Sequence, residues 1–115
     1  MTNDNNPPPR LIDQFLPLQT GDKYMTPGVI ALVESGKVTT GHLAAILTAH
    51  VNGLWGHVCN EDKEINDQAV IHGGRVLSAH PIDFDKPCNG HGPNCLWIIT
   101  EHDRSATTIL LPEEY

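Results

Sequence analysis

The sequence predicts an α+β fold in which about three N-terminal helices pack on a three-stranded antiparallel sheet, a C-terminal β-meander. Two observations lead to this prediction. Up to Gly74, apolar residues recur with the 3.6-residue period of helices, between residues typical of helix ends. After Gly74 the period changes to two, and β-branched and aromatic residues dominate. Helices followed by strands are typical of α+β domains, with the helices on one sheet face.

Three helices are expected between residues 26 and 74, each bounded by residues that favour helix ends. Thr26 suits an N-cap and Pro27 the first helical position, because the missing N–H of proline has no partner there in any case. Gly36 suits the left-handed conformation that ends the helix. The other two helices are expected from Thr39 or Thr40 to Gly53 and from Asn60 to Gly73.

The core positions and the strands follow from the same patterns. Trp55 is expected to be buried, and the third helix is expected to bury Ile65, Ala69 and either Val70 or His72. The three expected strands are the runs RVLSAHPI, CLWIITE and ATTILL, and the turn HDRS joins the last two as a hairpin.

The length and the N-terminal composition predict one folded domain with a tail. A chain of 115 residues is long enough for a single hydrophobic core. Residues 1–22 are rich in Asn and Pro, which favour extended chain, and are expected to form a flexible tail in which one short apolar turn docks. Residues 23–115 are expected to form the domain.

The balance of charge indicates which partners suit the protein. The formal net charge is -7, from 14 acidic and 7 basic side chains, which argues against direct binding to nucleic acid. An acidic surface instead suits a basic partner, such as a nucleic-acid-binding protein. The densest acidic group lies at the start of the third helix and consists of Glu61, Asp62, Glu64 and Asp67. It is the candidate surface for binding such a partner, and the alternative is an ordinary solvated helix face.

No apolar run approaches the roughly 18 residues that would span a bilayer. The first residues are polar and Pro-rich, without the basic and then apolar order of a signal peptide. The protein is therefore expected in the cytoplasm, without a membrane partner and with cysteines that start reduced.

The stretch PCNGHGPNC contains the residues that best suit a metal site. Cys88, His91 and Cys95 have a knuckle-like spacing in a Gly-rich loop, and zinc is bound by about four N or S ligands. Cys59 is the best fourth ligand, with His57 and His80 as further candidates. Two alternatives stay open, a plain connecting loop and a reversible disulfide between Cys88 and Cys95.

Enzymatic activity has weak support in the sequence. Seven histidines are spread along the chain without a metalloprotease spacing, and no nucleophile elbow or phosphate loop occurs. Glu101, His102 and Asp103 have the chemistry for acid–base catalysis, but the pattern around them favours a hairpin turn.

A resemblance to known proteins rests on four segments, which are TPGVIALVESGKV, GLWGHV, HGGRVLSAHPI and LWIITEHDRSATTILLPEEY. Together they resemble a family of short plasmid-related proteins carried by plasmids, integrative elements and phages. The resemblance runs from about Lys23 to Tyr115 and implies no catalytic or binding residue. It implies an accessory gene of a mobile element, a class that includes inhibitors of host defences and regulators of replication or transfer.

These observations lead to three functional hypotheses. The first is a non-enzymatic protein that binds a host protein, as an anti-CRISPR or anti-restriction inhibitor. The second is a zinc-stabilised regulatory or structural module of plasmid replication or transfer. The third, with the weakest support, is a small enzyme.

Overall fold

A computed structural model describes residues 10–115 and has three α-helices and four β-strands. The α-helices are α1 (Pro27–Glu34), α2 (Thr40–Val51) and α3 (Asn60–His72). The strands are β1 (Asp22–Met25), β2 (Val76–Pro81), β3 (Cys95–Thr100) and β4 (Ala106–Leu110). Two 3-10 helices, Leu11–Phe15 and Pro112–Glu114, flank them.

The α+β class and the three helices are confirmed, but the predicted three-stranded antiparallel sheet is incomplete. The sheet has four strands in the order β1-β4-β3-β2. β2, β3 and β4 form the expected antiparallel meander, and β1 adds to it in parallel with β4. The sheet is therefore mixed, because β1, which precedes all three helices in the chain, forms a parallel edge strand.

Two core clusters hold the helices against the sheet. One combines Val29 of α1 and Ile46 of α2 with Ile98 and Ile109, so that these two helices cover one face of the sheet. The other lies at the β2 end and includes Trp55, whose predicted burial is confirmed. Its buried members are Ile12, Leu18, Trp55, Val58, Val70, Val76 and Ala79.

The helix ends follow the local sequence closely. The Thr39 side chain accepts a hydrogen bond from the backbone N–H of His42 at 3.0 Å, as expected of an N-cap. Thr26 is the N-cap of α1, but its hydroxyl donates to Glu114 instead of capping its own helix. In α3 the prediction for Ile65 is wrong, because its side chain is 55% exposed while the neighbouring Asn66 is buried.

The predicted tail is described in part. Residues 1–9 lie outside the described residues. From residue 10 to residue 21 the chain packs on the domain, since Ile12 and Leu18 are buried in the core cluster around Trp55. The backbone N–H of Leu18 also donates to the carbonyl of Val51 at 2.8 Å. Between residues 10 and 115, no helix is long and apolar enough to cross a membrane.

Candidate functional site

The predicted metal ligands are divided between a disulfide and an exposed thiol. Cys88 and Cys95 form a disulfide across the loop that joins β2 to β3. His91 is exposed within that loop, and Cys59 is a free, exposed cysteine at the N-cap of α3. No cluster of three or more His, Cys, Asp and Glu side chains suited to a metal ion occurs in the described part of the chain. A zinc site therefore stays a prediction, and it requires reduced cysteines.

The base of this loop is held without the disulfide. The Asn94 side chain accepts a hydrogen bond from the backbone N–H of Asp83 at 2.8 Å, and its amide nitrogen donates to the Asp83 carbonyl at 3.0 Å. The tip of the loop packs on the segment before α3, because a Cβ at Gly90 would lie 2.9 Å from the carbonyl oxygen of His57. The loop therefore lies beside the chain that leads to Cys59.

The acidic group at the start of α3 is divided in the same way. Glu61, Asp62 and Glu64 are exposed. Asp67 has an internal role, because its Oδ1 accepts hydrogen bonds from Arg10 at 3.0 Å and from the indole of Trp55 at 2.8 Å. Three of the four carboxylates are therefore available at the surface, and the fourth connects α3 to the chain before β1.

The interpretation of HDRS as a turn is confirmed. Asp103 accepts a hydrogen bond from the backbone N–H of Ser105 at 3.0 Å, and the bonds from Ser105 hold the pKa of Asp103 below its ordinary value. Arg104 has a φ of 61° and donates to the backbone carbonyls of Ala69 and Gly74. The turn therefore anchors α3 to the sheet, and the side chains of His102 and Asp103 are exposed on it.

A buried chain of polar side chains runs under α2, and the sequence did not predict it. His80 Nε2 lies 2.8 Å from Ser78 Oγ, and Ser78 Oγ lies 2.7 Å from His50 Nδ1. His50 Nε2 lies 2.8 Å from Thr100 Oγ1. Thr100 then contacts the Thr107 hydroxyl, which donates to the carbonyl of Thr20. The only signal in the sequence was a histidine at an apolar position of α2.

The direction of every hydrogen bond in this chain follows from its last acceptor. A carbonyl only accepts, so Thr107 donates to Thr20 and must accept from Thr100. Thr100 has then used its only proton, so it accepts from Nε2–H of His50. A neutral His50 that donates through Nε2 has no proton on Nδ1, so Nδ1 accepts from Ser78, which in turn accepts from His80. One arrangement of protons therefore satisfies all five bonds, with both imidazoles neutral.

Burial opposes charge on both imidazoles. It is the main reason that the pKa of His50 is lowered from 6.5 to about 3, with smaller effects of His80 and Arg104. Burial likewise lowers the pKa of His80 from 6.5 to about 4, helped by His57 and His42. Because Ser78 and His50 are fully buried, this series of hydrogen-bonded side chains supports the fold and does not serve as a nucleophile with its base.

The β2 edge of the sheet is closed by hydrogen bonds. The Asn66 side chain accepts from the backbone N–H of Leu77 at 3.1 Å and donates to its carbonyl at 2.7 Å. The N–H of Ala79 donates to the carbonyl of Trp55 at 3.1 Å, and the Ala79 carbonyl accepts from His57 at 2.8 Å. All four outward backbone groups of these two residues are thus paired.

The β1 edge is open with respect to residues 10–115, none of which pairs with its outer side. The N–H of Asp22 donates to the carbonyl of Ser105, in the turn before β4, at 3.0 Å, and the N–H of Thr26 donates to the carbonyl of Ile109 in β4 at 3.1 Å. Because alternate residues of a strand point in opposite directions, the backbone groups of Lys23 and Met25 point away from the sheet. All four residues of β1 are exposed. Beside the strand lies a cavity of about 270 Å³ lined by Lys23, Tyr24, Met25, Leu47, Thr107 and Ile109.

The C-terminal residues pack over the start of α1. Glu114 accepts hydrogen bonds from the Thr26 hydroxyl at 2.6 Å and from the backbone N–H of Gly28 at 2.9 Å. Partial burial acts to raise the pKa of Glu114, but the bonds from Thr26, Leu111 and Gly28 outweigh it and lower that pKa. Glu114 thus provides the N-terminal capping that the Thr26 side chain does not.

The geometry therefore offers two surface features, the open β1 edge and the disulfide loop, and one buried polar chain. Comparison of this chain with family models, with curated proteins and with solved structures finds no match.

Proposed function

We propose that this protein is a small, acidic, non-enzymatic accessory protein of a mobile genetic element, and that it binds a host protein as an inhibitor of a host defence system of the anti-CRISPR or anti-restriction type. The observation that carries the binding part of the proposal is the contrast between the two sheet edges. One edge is closed by Asn66 and the Trp55–His57 segment, whereas no segment within residues 10–115 pairs with the outward backbone groups of β1. Proteins commonly bind an extended segment of a partner by adding it as a strand to an exposed sheet edge, with side-chain pockets beside that edge.

The positions of the titratable groups support binding over catalysis. An acid–base site needs its groups at a cavity that substrate can enter. His50 and Ser78 are fully buried, and their hydrogen bonds are used within the protein. His102 and Asp103 are exposed on a turn.

The net charge of -7 supports a basic protein partner over nucleic acid or an anionic membrane surface. A host complex that handles nucleic acid has such basic surfaces. The protein would therefore act in the cytoplasm, where these complexes work.

A zinc-stabilised regulatory or structural module of plasmid replication or transfer is the second candidate. It is favoured by one observation, the packing of the cysteine loop against His57, two residues before Cys59. Reduction of the disulfide would provide Cys88 and Cys95 as thiolates beside this segment, with His91 in the same loop.

The proposal is tested by combining a defence assay with capture of the partner. The full chain is expressed in strains with an active CRISPR or restriction system, and the transformation efficiency of a targeted plasmid is compared with that of an untargeted plasmid. We expect the targeted plasmid to recover in one of the two systems, and a stoichiometric protein of that system to co-purify at low and moderate salt. No recovery in either system, together with no stoichiometric partner, would refute the proposal.

A further inference from the structure

The open edge of β1 indicates the kind of segment that the partner presents. Its outward groups are the N–H and C=O of Lys23 and Met25, and no described hydrogen bond outside the strand ladder involves them. A short strand and a lysine on an edge discourage unspecific pairing. Here, however, the strand also exposes two large apolar side chains whose burial would be favourable, since Tyr24 is 54% and Met25 is 43% exposed.

The cavity beside β1 determines which side of an added strand would be apolar. Lys23 pairs with Thr107 and Met25 pairs with Ile109, so their side chains share the sheet face covered by α2. Leu47 of α2 forms the opposite wall of the cavity of about 270 Å³. Partner residues paired with Lys23 and Met25 would point their side chains to this face. A large aliphatic side chain at one of these positions would enter the cavity and contact Leu47.

The charges around β1 favour a basic segment. At the start of the strand lie Asp22 and Asp103, which are connected through Ser105: its N–H donates to Asp103 and its carbonyl accepts from Asp22. At the end of the strand lies Glu114, bonded to the hydroxyl of Thr26. Lys23 is the cation of the strand itself, whereas the guanidinium of the nearby Arg104 is turned inward to Ala69 and Gly74. Carboxylates at both ends would attract cationic side chains.

A second copy of the chain fits this edge poorly. Stable dimers bury about 1,200–2,000 Å² in total, and pairing of two four-residue strands gives only a small part of that area. Each copy also carries a net charge of -7, so the two would repel each other. A flexible, extended and basic segment avoids both problems.

We propose that β1 accepts an extended basic segment of the partner as a fifth strand of the sheet, hydrogen-bonded to Lys23 and Met25, with an aliphatic side chain in the cavity beside Leu47. This inference rests on the proposed function, since it specifies the partner segment for the same binding activity.

The test uses a synthetic peptide of seven residues that alternates Lys with Val, Leu and Val, and a matched peptide in which Glu replaces every Lys. Amide exchange of the full chain is followed by NMR. We expect the Lys peptide to slow exchange of the Lys23 and Met25 amides at least about tenfold, with no effect of the Glu peptide. Met25→Pro, which removes one outward N–H, should abolish this effect, whereas Met25→Ala retains the N–H and should retain part of it.

A peptide with N-methyl groups on its pairing amides provides the same control if Met25→Pro does not fold. The inference is overturned if the two charged peptides protect equally, if protection falls on other residues, or if none occurs at about millimolar peptide. It is also overturned if these amides become protected without peptide as protein concentration rises, since a second copy is then the occupant. A captured defence protein combined with an unprotected β1 would refute this inference alone and leave the proposed function standing.

Discussion

The buried pair of histidines makes acid lability the sharpest expectation for this protein. The perturbation is a change of pH from 7.5 to 5.0 with the disulfide intact. Both pKa values are lowered by folding, from 6.5 to about 3 for His50 and to about 4 for His80. The folded state therefore binds fewer protons than the unfolded state below pH 6.5, and stability must fall as the pH falls through that value.

The magnitude follows from the two shifts. One pKa unit corresponds to about 1.4 kcal/mol, and pH 5.0 lies about 1.5 units below the unfolded value of 6.5. At pH 5.0 each histidine should therefore lower the unfolding free energy by about 2 kcal/mol, and the pair by about 4 kcal/mol. The total unfolding free energy of a domain is about 5–15 kcal/mol. Further loss is expected below pH 5, as the pH approaches the folded values of about 4 and about 3.

The assay is urea unfolding at pH 7.5, 6.5 and 5.0 at constant ionic strength, followed by tryptophan fluorescence and far-ultraviolet circular dichroism. His80→Gln keeps an N–H donor for Ser78 but does not titrate, so the loss between pH 7.5 and 5.0 should fall to about half. His102→Gln, on the exposed turn, is the matched control and should leave the loss unchanged. If the unfolding free energy changes by less than about 1 kcal/mol between pH 7.5 and 5.0, the two histidines are not held neutral by the fold.

Three further outcomes are expected. Asn66→Ala removes both hydrogen bonds that close the edge at Leu77 and should lower the unfolding free energy by about 2–4 kcal/mol in urea titrations. Gly56→Ala and Gly36→Ala both introduce a Cβ at positive φ, 72° and 77°. The Cβ at Gly36 meets nothing within 4 Å, so that variant should lose only about 1–2 kcal/mol of stability by thermal unfolding. The Cβ at Gly56 would overlap the carbonyl oxygen of Ala79, so that variant should lose considerably more. Thiol titration of the denatured, unreduced chain should find one thiol, from Cys59.

Each of these outcomes has a result that would contradict it. An Asn66→Ala protein as stable as the original would mean that water closes the edge equally well. Equal losses for the two glycine variants would mean that the backbone shifts around the new Cβ at little cost. Three thiols together with one zinc ion per chain would replace the disulfide with the metal site that the spacing of the cysteines predicts.

The helices show how much of the fold local sequence determines. Thr26, Pro27 and Gly36 bound α1 as predicted, and Thr39 caps α2 through a residue within one turn of the helix end. At α1, however, the capping side chain is the distant Glu114, which the local sequence did not predict. The alternation of apolar residues likewise predicted β2, β3 and β4. In α3 the same logic was wrong for Ile65, since the helix turns Asn66 to the edge of β2, where unpaired backbone groups need a polar partner.

The candidate site depended more strongly on tertiary structure. The sequence DKYM of β1 has no strand signal of its own, and it becomes a strand only because β4, about eighty residues later, pairs with it. The open edge could not be predicted without that pairing. The chain of hydrogen bonds from His80 to Thr20 likewise joins residues up to 87 positions apart.

Periodicity, N-cap and C-cap residues and composition act over a few residues, so the sequence predicts the α+β class, the bounds of the helices, the three-stranded meander and the acidic charge. The tertiary structure alone decided the fourth strand, which sheet edge is closed, the protonation of His50 and His80, and the pairing of Cys88 with Cys95. Edge pairing and burial depend on distances between segments that are remote in sequence, which no local pattern specifies. Contact between the sulfur atoms of Cys88 and Cys95, seven residues apart, depends on how the loop between β2 and β3 is folded.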